Sequence, residues 1–125
     1  MTERRAFAIE AEPRYLARES DPEARRWVFA YTITIRNTGD VAARLVNRHW
    51  IVTNSDGARQ EVRGRGVVGE EPHIEPGAAF RYTSAAVLET PVGSMHGDYE
   101  FETDRGERFL VAIPVFSLSV PNMVH

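Results

Sequence analysis

One stretch constrains the fold more than any other: Trp27-Val28-Phe29-Ala30-Tyr31-Thr32-Ile33-Thr34-Ile35-Arg36-Asn37. Its period is two. Trp27, Phe29, Tyr31, Ile33 and Ile35 share one face, and Val28, Ala30, Thr32, Thr34 and Arg36 share the other. Successive side chains alternate across a strand but scatter around a helix, so this is a long half-buried strand with a core beneath it. Asn37-Thr38-Gly39-Asp40 closes it with turn chemistry.

The same rhythm recurs along the chain. Phe7, Ile9 and Ala11 predict a strand ending near Tyr15-Leu16, before the polar loop from Arg18 to Pro22. Further strands are expected over Ala43–Thr53, Gln60–Val68 (weakened by Gly64 and Gly66), Ala79–Val87, Met95–Thr103, and from Phe109 through Val115. The signals Asn54-Ser55-Asp56-Gly57, Glu75-Pro76-Gly77, Pro91-Val92-Gly93 and Asp104-Arg105-Gly106 punctuate them. About seven strands and no amphipathic helix predict an all-β fold, an immunoglobulin/fibronectin type III-like antiparallel β-sandwich with sheets of three and four. A chain of 125 residues suits one core, so residues 1–125 read as a single domain. Gly97-x-Tyr99-x-Phe101 has tyrosine-corner spacing, and Trp50 stands where such a sandwich carries its core tryptophan. The tail from Ser119 to His125 is expected to be loosely ordered.

The absence of cysteine removes disulfides, zinc-thiolate sites and thiol nucleophiles. No run reaches the roughly 18 apolar residues of a membrane span, and no signal-like stretch opens the chain, so a cytoplasmic protein is expected. The net charge of −3 argues against nucleic-acid binding. Charge is nonetheless uneven: residues 1–69 hold 12 Arg against 9 acidic residues, and residues 70–125 hold 3 Arg against 9. Arg suits bidentate recognition of carboxylate or phosphate better than Lys does.

Three stretches resemble the ApaG family: Asn47-Arg48-His49-Trp50-Ile51, Val62-Arg63-Gly64-Arg65-Gly66-Val67-Val68-Gly69-Glu70-Glu71-Pro72, and Tyr82-Thr83-Ser84 followed by Thr90-Pro91-x-Gly93-x-Met95-x-Gly97-x-Tyr99-x-Phe101. The long strand Phe29–Asn37 looks like that family's too, and the resemblance runs from about residue 6 to 118. It implies the same sandwich fold, and a bacterial cytoplasmic protein associated with cobalt and magnesium efflux or tolerance. Related domains in eukaryotic F-box and DNA-polymerase-interacting proteins imply an interaction module. A chain without a membrane span is not itself an ion conduit.

Four groups of residues invite a functional reading. Gly64-Arg65-Gly66-Val67-Val68-Gly69 matches G-x-G-x-x-G, and with Arg63 and Arg65 it offers a site for a phosphate-containing ligand, pyrophosphate or a nucleotide. The plainer alternative is that the glycines permit a bulge or a close approach of sheets, because no helix follows and Glu70-Glu71 would repel phosphate. Glu71, His73 and Glu75 would share one side of an extended segment and could hold a divalent cation; a solvated acidic turn is the ordinary alternative. Asp98, Glu100, Glu102 and Asp104 form an acidic stripe expected beside His49. Arg48, His49 and Ile51 are the expected partner-binding residues, since such an outer face suits protein docking. Catalysis finds no support: Ser84 and Ser94 lack a nucleophile context, and the histidines are scattered. No cofactor is expected. The leading expectation is a non-enzymatic binding module for a protein partner, with an edge strand also offering a route to a homodimer.

Overall fold

The computed structural model describes residues 3–121. Eight strands follow in order: β1 (Phe7–Tyr15), β2 (Trp27–Asn37), β3 (Ala43–Asn54), β4 (Arg59–Arg65), β5 (His73–Ile74), β6 (Ala79–Leu88), β7 (Val92–Thr103) and β8 (Arg108–Ser119). They form an antiparallel sandwich. One sheet runs β1-β2-β6, and the other β4-β3-β7-β8, with β5 also pairing with β3 at Ala43 and Arg44.

The period-two residues meet between the sheets. Phe29, Ile33 and Ile35 from one layer pack with Leu45, Trp50, Tyr99, Phe101 and Leu118 from the other, all buried. Two aromatic groups divide the core. Phe7 stacks on Phe101 at 4.1 Å between centroids, with Phe109 beyond it at 5.6 Å from Phe101, at the β1/β8 side. Tyr31, Trp50, Tyr99 and Phe116 form the second group, with Tyr31 5.4 Å and Tyr99 6.1 Å from Trp50.

Several expectations need correction. The strand expected over Gln60–Val68 stops at Arg65, because the backbone then turns through positive φ at Gly66 and Val68. β5 has only two residues, too few for a periodic signal, and makes the second sheet five-stranded. The polar loop after β1 contains two short 3-10 turns, tied to β2 by Val28 N–H donating to Ser20 Oγ at 2.8 Å. Tyr99 is buried as its spacing implied, but its hydroxyl meets that of Tyr82 across the core at 2.5 Å instead of a nearby backbone group. At the C-terminal end, Ser119 closes β8 and Val120 N–H donates to Pro91 O at 3.1 Å; residues 122–125 lie outside the described residues. Among the described residues no helix is long and apolar enough to cross a membrane.

Candidate functional site

β4 and β6 are edge strands of different sheets on one side of the sandwich, and a cleft of about 320 Å³ opens between them. Tyr31, Trp50 and Met95 lie within it, Val62 and Gln60 line it from β4, and Ser84, Ala86 and Val87 line it from β6. A smaller hollow of about 170 Å³ shares Tyr31, Arg48, Trp50 and Ser84 and extends to Val67, Val68 and Gly69. The sequence dictates this opening. Gly64 on β4, and Ser84 and Ala86 on β6, are small residues at inward-facing positions, so the cleft reaches down to the edge of the buried Trp50.

Arg48 is the charged group of the cleft. It faces inward beside Trp50 and Val52, and its Nη1 donates to the carbonyls of Arg65 at 2.9 Å and Gly66 at 3.1 Å. Gly64 leaves room for the guanidinium: a Cβ at that position would stand 2.7 Å from it and push the Arg48 side chain aside. Its positive charge opposes, weakly, the burial that raises the Tyr31, Tyr82 and Tyr99 pKa values above the ordinary tyrosine range. No carboxylate among the described residues lies within 4.0 Å of Arg48, Arg59 or Arg63.

The glycine motif is a tight hairpin. Val67 and Glu70 exchange backbone hydrogen bonds of 2.8 and 2.9 Å around Val68 and Gly69, which have φ of 44° and 80°. Positive φ at both central residues is the type I′ geometry that suits a two-residue hairpin. Gly66 is fixed by crowding, since a Cβ would meet Glu70 O at 2.1 Å. Val68 is the exception, a β-branched residue in left-handed backbone and 52% exposed. For the anion expectation at Arg63, Gly64, Arg65, Gly66 and Gly69, the geometry is specific. The amides of Gly66 and Val67 are engaged with Val46 O and Glu70 O, while carbonyls of the loop point at Arg48. Arg63 and Arg65 project to the opposite face from Arg48, and Arg65 pairs with Glu71 at 2.9 Å.

Strand alternation also divides the expected partner patch. Arg48 lines the inter-sheet cleft, whereas His49 and Ile51 face the outside of the five-stranded sheet. There the acidic stripe is occupied by the sheet's own donors. His49 lies 3.5 Å from Glu61 and 3.7 Å from Asp98, Asn47 Nδ2 donates to Glu100 at 2.8 Å, and Arg108 reaches Glu100 and Glu102. A larger, more open depression of about 680 Å³ covers this face.

The metal expectation fails on geometry. Glu71 is drawn to Arg65, while His73 hydrogen-bonds Asp104 at 2.9 Å and lies 3.6 Å from Glu75. The strand covers only His73 and Ile74, so Glu71 and Glu75 lie outside it. Among the described residues no group of three His, Asp or Glu side chains is arranged to hold a metal ion.

Sequence reasoning missed the cleft itself. Its rim is Val62, Val68 and Val87, apolar side chains 36%, 52% and 42% exposed that lie on three separate segments. Only the pairing of small inward residues with bulky neighbours hinted at it.

The ApaG domain model matches residues 17–103. Protein ApaG of Azoarcus sp. (strain BH72) is 56% identical over 94% of this chain and 92% of its own length. Protein ApaG of Nitrosomonas europaea is 53% identical over the full length of both. A solved structure from Bordetella pertussis, described as an ApaA protein, superposes with a TM-score of 0.91 at 43% identity, covering 95% of this chain and 97% of that one.

Proposed function

We propose, for a chain that belongs to the ApaG family, that it is a non-enzymatic binding module which docks a protein partner along the open β4/β6 side of its sandwich. The observation that carries this is the rim of Val62, Val68 and Val87 around a cleft flanked by two unpaired strand edges. Exposed apolar groups clustered beside free main-chain donors and acceptors are what strand-adding partners use. The other two edges are blunted. β1 carries Pro13 two residues before its end, and β8 carries Pro114 within the irregular register opposite Met95 and Gly97. Proline cannot donate to an added strand, and β4 and β6 contain none. On this reading the cobalt and magnesium tolerance implied by the resemblance is exerted through the partner.

Photo-crosslinking from the protein's own cells tests the reading. A benzophenone amino acid at Val87 should give a discrete protein adduct, and the same group at Val115, 66% exposed on β8, should not. Adducts at Val115 alone, or at neither position, would remove the β4/β6 side from consideration.

A further inference from the structure

We infer that the cleft recognises a carboxylate carried on an extended peptide segment of the partner, with Arg48 as the anion-recognising group. This rests on the docking reading above and adds the chemistry of what is docked.

A cation half-buried in a cleft normally has an acidic partner, because desolvating an unpaired charge is costly. Arg48 has none among the described residues. Its Nη1 holds two loop carbonyls, which fixes the guanidinium in place, but its Nη2 and Nε carry no hydrogen bond among the described residues. Those donors belong to a planar fork already oriented by the loop, so a carboxylate would meet a preorganised pair. The neighbours fit the same ligand. Tyr31 and Ser84 supply hydroxyls in the same hollow, and both are protonated donors at neutral pH. Arg59 and Arg63, unpaired on β4, give this edge a positive field that draws in an acidic segment.

The occupant is a peptide because the remaining features are strand features. The far side of β4 lacks a hydrogen-bonding neighbour, and Val62 and Val87 offer contacts to alternate apolar side chains. A free phosphate would use none of these. The glycine loop, whose carbonyls rather than amides meet Arg48, presents the wrong polarity for one.

The test uses the full-length ¹⁵N-labelled protein and three probes: a fluorescein-labelled hexapeptide of alternating valine and glutamate with a free C-terminus, its glutamine-containing amidated counterpart, and inorganic pyrophosphate. The acidic peptide should bind in fluorescence anisotropy and shift amides in β4, in residues 67–69 and at the C-terminal end of β6. Its neutral counterpart should bind about tenfold or more weakly, as expected for a charge-assisted hydrogen bond. Arg48→Gln should abolish the difference between the two peptides, with a dispersed amide spectrum confirming the fold. Arg48→Lys should keep part of it. Equal binding of both peptides at these amides would overturn carboxylate recognition while leaving edge docking intact. Binding by neither peptide, or shifts confined elsewhere, would overturn the inference, and the docking reading would still be judged by the crosslink at Val87. Displacement of the acidic peptide by pyrophosphate at lower concentration, with the same amides shifting, would also overturn it and make a free phosphate the occupant.

Discussion

The outer face of the five-stranded sheet and the β4/β6 cleft lie on opposite sides of the same strand, β3, and they treat charge differently. On the outer face, Asp98, Glu100 and Glu102 each find a partner within the sheet, through His49, Asn47 or Arg108. In the cleft, Arg48 is positioned by backbone carbonyls and meets no acid, apolar rims stay exposed, and a valine sits in left-handed backbone. A surface whose acids already have partners gains little from an additional one for them, although His49 Nε2 is buried there without a hydrogen bond and Leu110 is 65% exposed. A surface that leaves a cation, strand edges and valines unsatisfied is arranged for something absent from the isolated chain. The contrast teaches that the richer charge pattern in a sequence need not mark the binding face.

The contrast breaks most severely where the cleft shares its floor with the core. Trp50→Ala should cost about 3–5 kcal/mol of stability, read from urea unfolding, because Trp50 is buried against Tyr31, Tyr99 and Phe116. A change below about 1 kcal/mol would show the tryptophan to be a ligand contact rather than a support.

Alkaline pH tests the inner side in another way. Burial raises the pKa of Tyr82 and of Tyr99 in the fold, foremost among its causes, so the unfolded chain loses these protons first. Stability is then fully present below the ordinary tyrosine value of about 10 and is lost as pH rises above it. The thermal midpoint should fall steeply above about pH 10, and the Tyr82→Phe/Tyr99→Phe variant should show a flatter limb. Parallel limbs would mean that the pair does not control the alkaline transition.

Val68→Gly offers a milder test. Relief of the left-handed backbone is worth about 1–2 kcal/mol, less the entropy glycine adds to the unfolded chain. Net stabilisation of about 1 kcal/mol is expected by urea unfolding, together with weaker binding of the acidic peptide if the exposed valine side chain contributes to docking. Destabilisation would show that Val68 is held by packing, not tolerated for contact. The smallest effect belongs to the outer face, where Glu100→Gln should change stability by at most about 0.5 kcal/mol. A loss of several kcal/mol there would erase the distinction between the two faces.

The sandwich was legible because Tyr31–Asn37 and Gly97–Thr103 alternate, and alternation is the physical signature of a sheet with one buried face. The pairing that sets His49 opposite Asp98 followed from the same reasoning. The site was legible only in fragments. Arg48 and His49 are adjacent in sequence, yet one residue of advance along a strand sends them to opposite sides. The glycines looked like a cradle, but three positive-φ positions made a hairpin whose carbonyls, not amides, meet Arg48. Glu71 is a companion to His73 only in an extended segment, and the turn carries it to Arg65. The rim of Val62, Val68 and Val87 has no local signature, because spatial adjacency between β6 and the distant β4 hairpin is a property of topology.

The prolines of β1 and β8 have a consequence for assembly. With Pro13 and Pro114 blunting one side of the sandwich, strand addition is directed to the β4/β6 side. A guest occupying β4 and β6 uses up the available register, so a complex should stop at one guest per domain. Were the guest a second copy of the same chain, the assembly would be a closed two-fold pair and not a growing fibre.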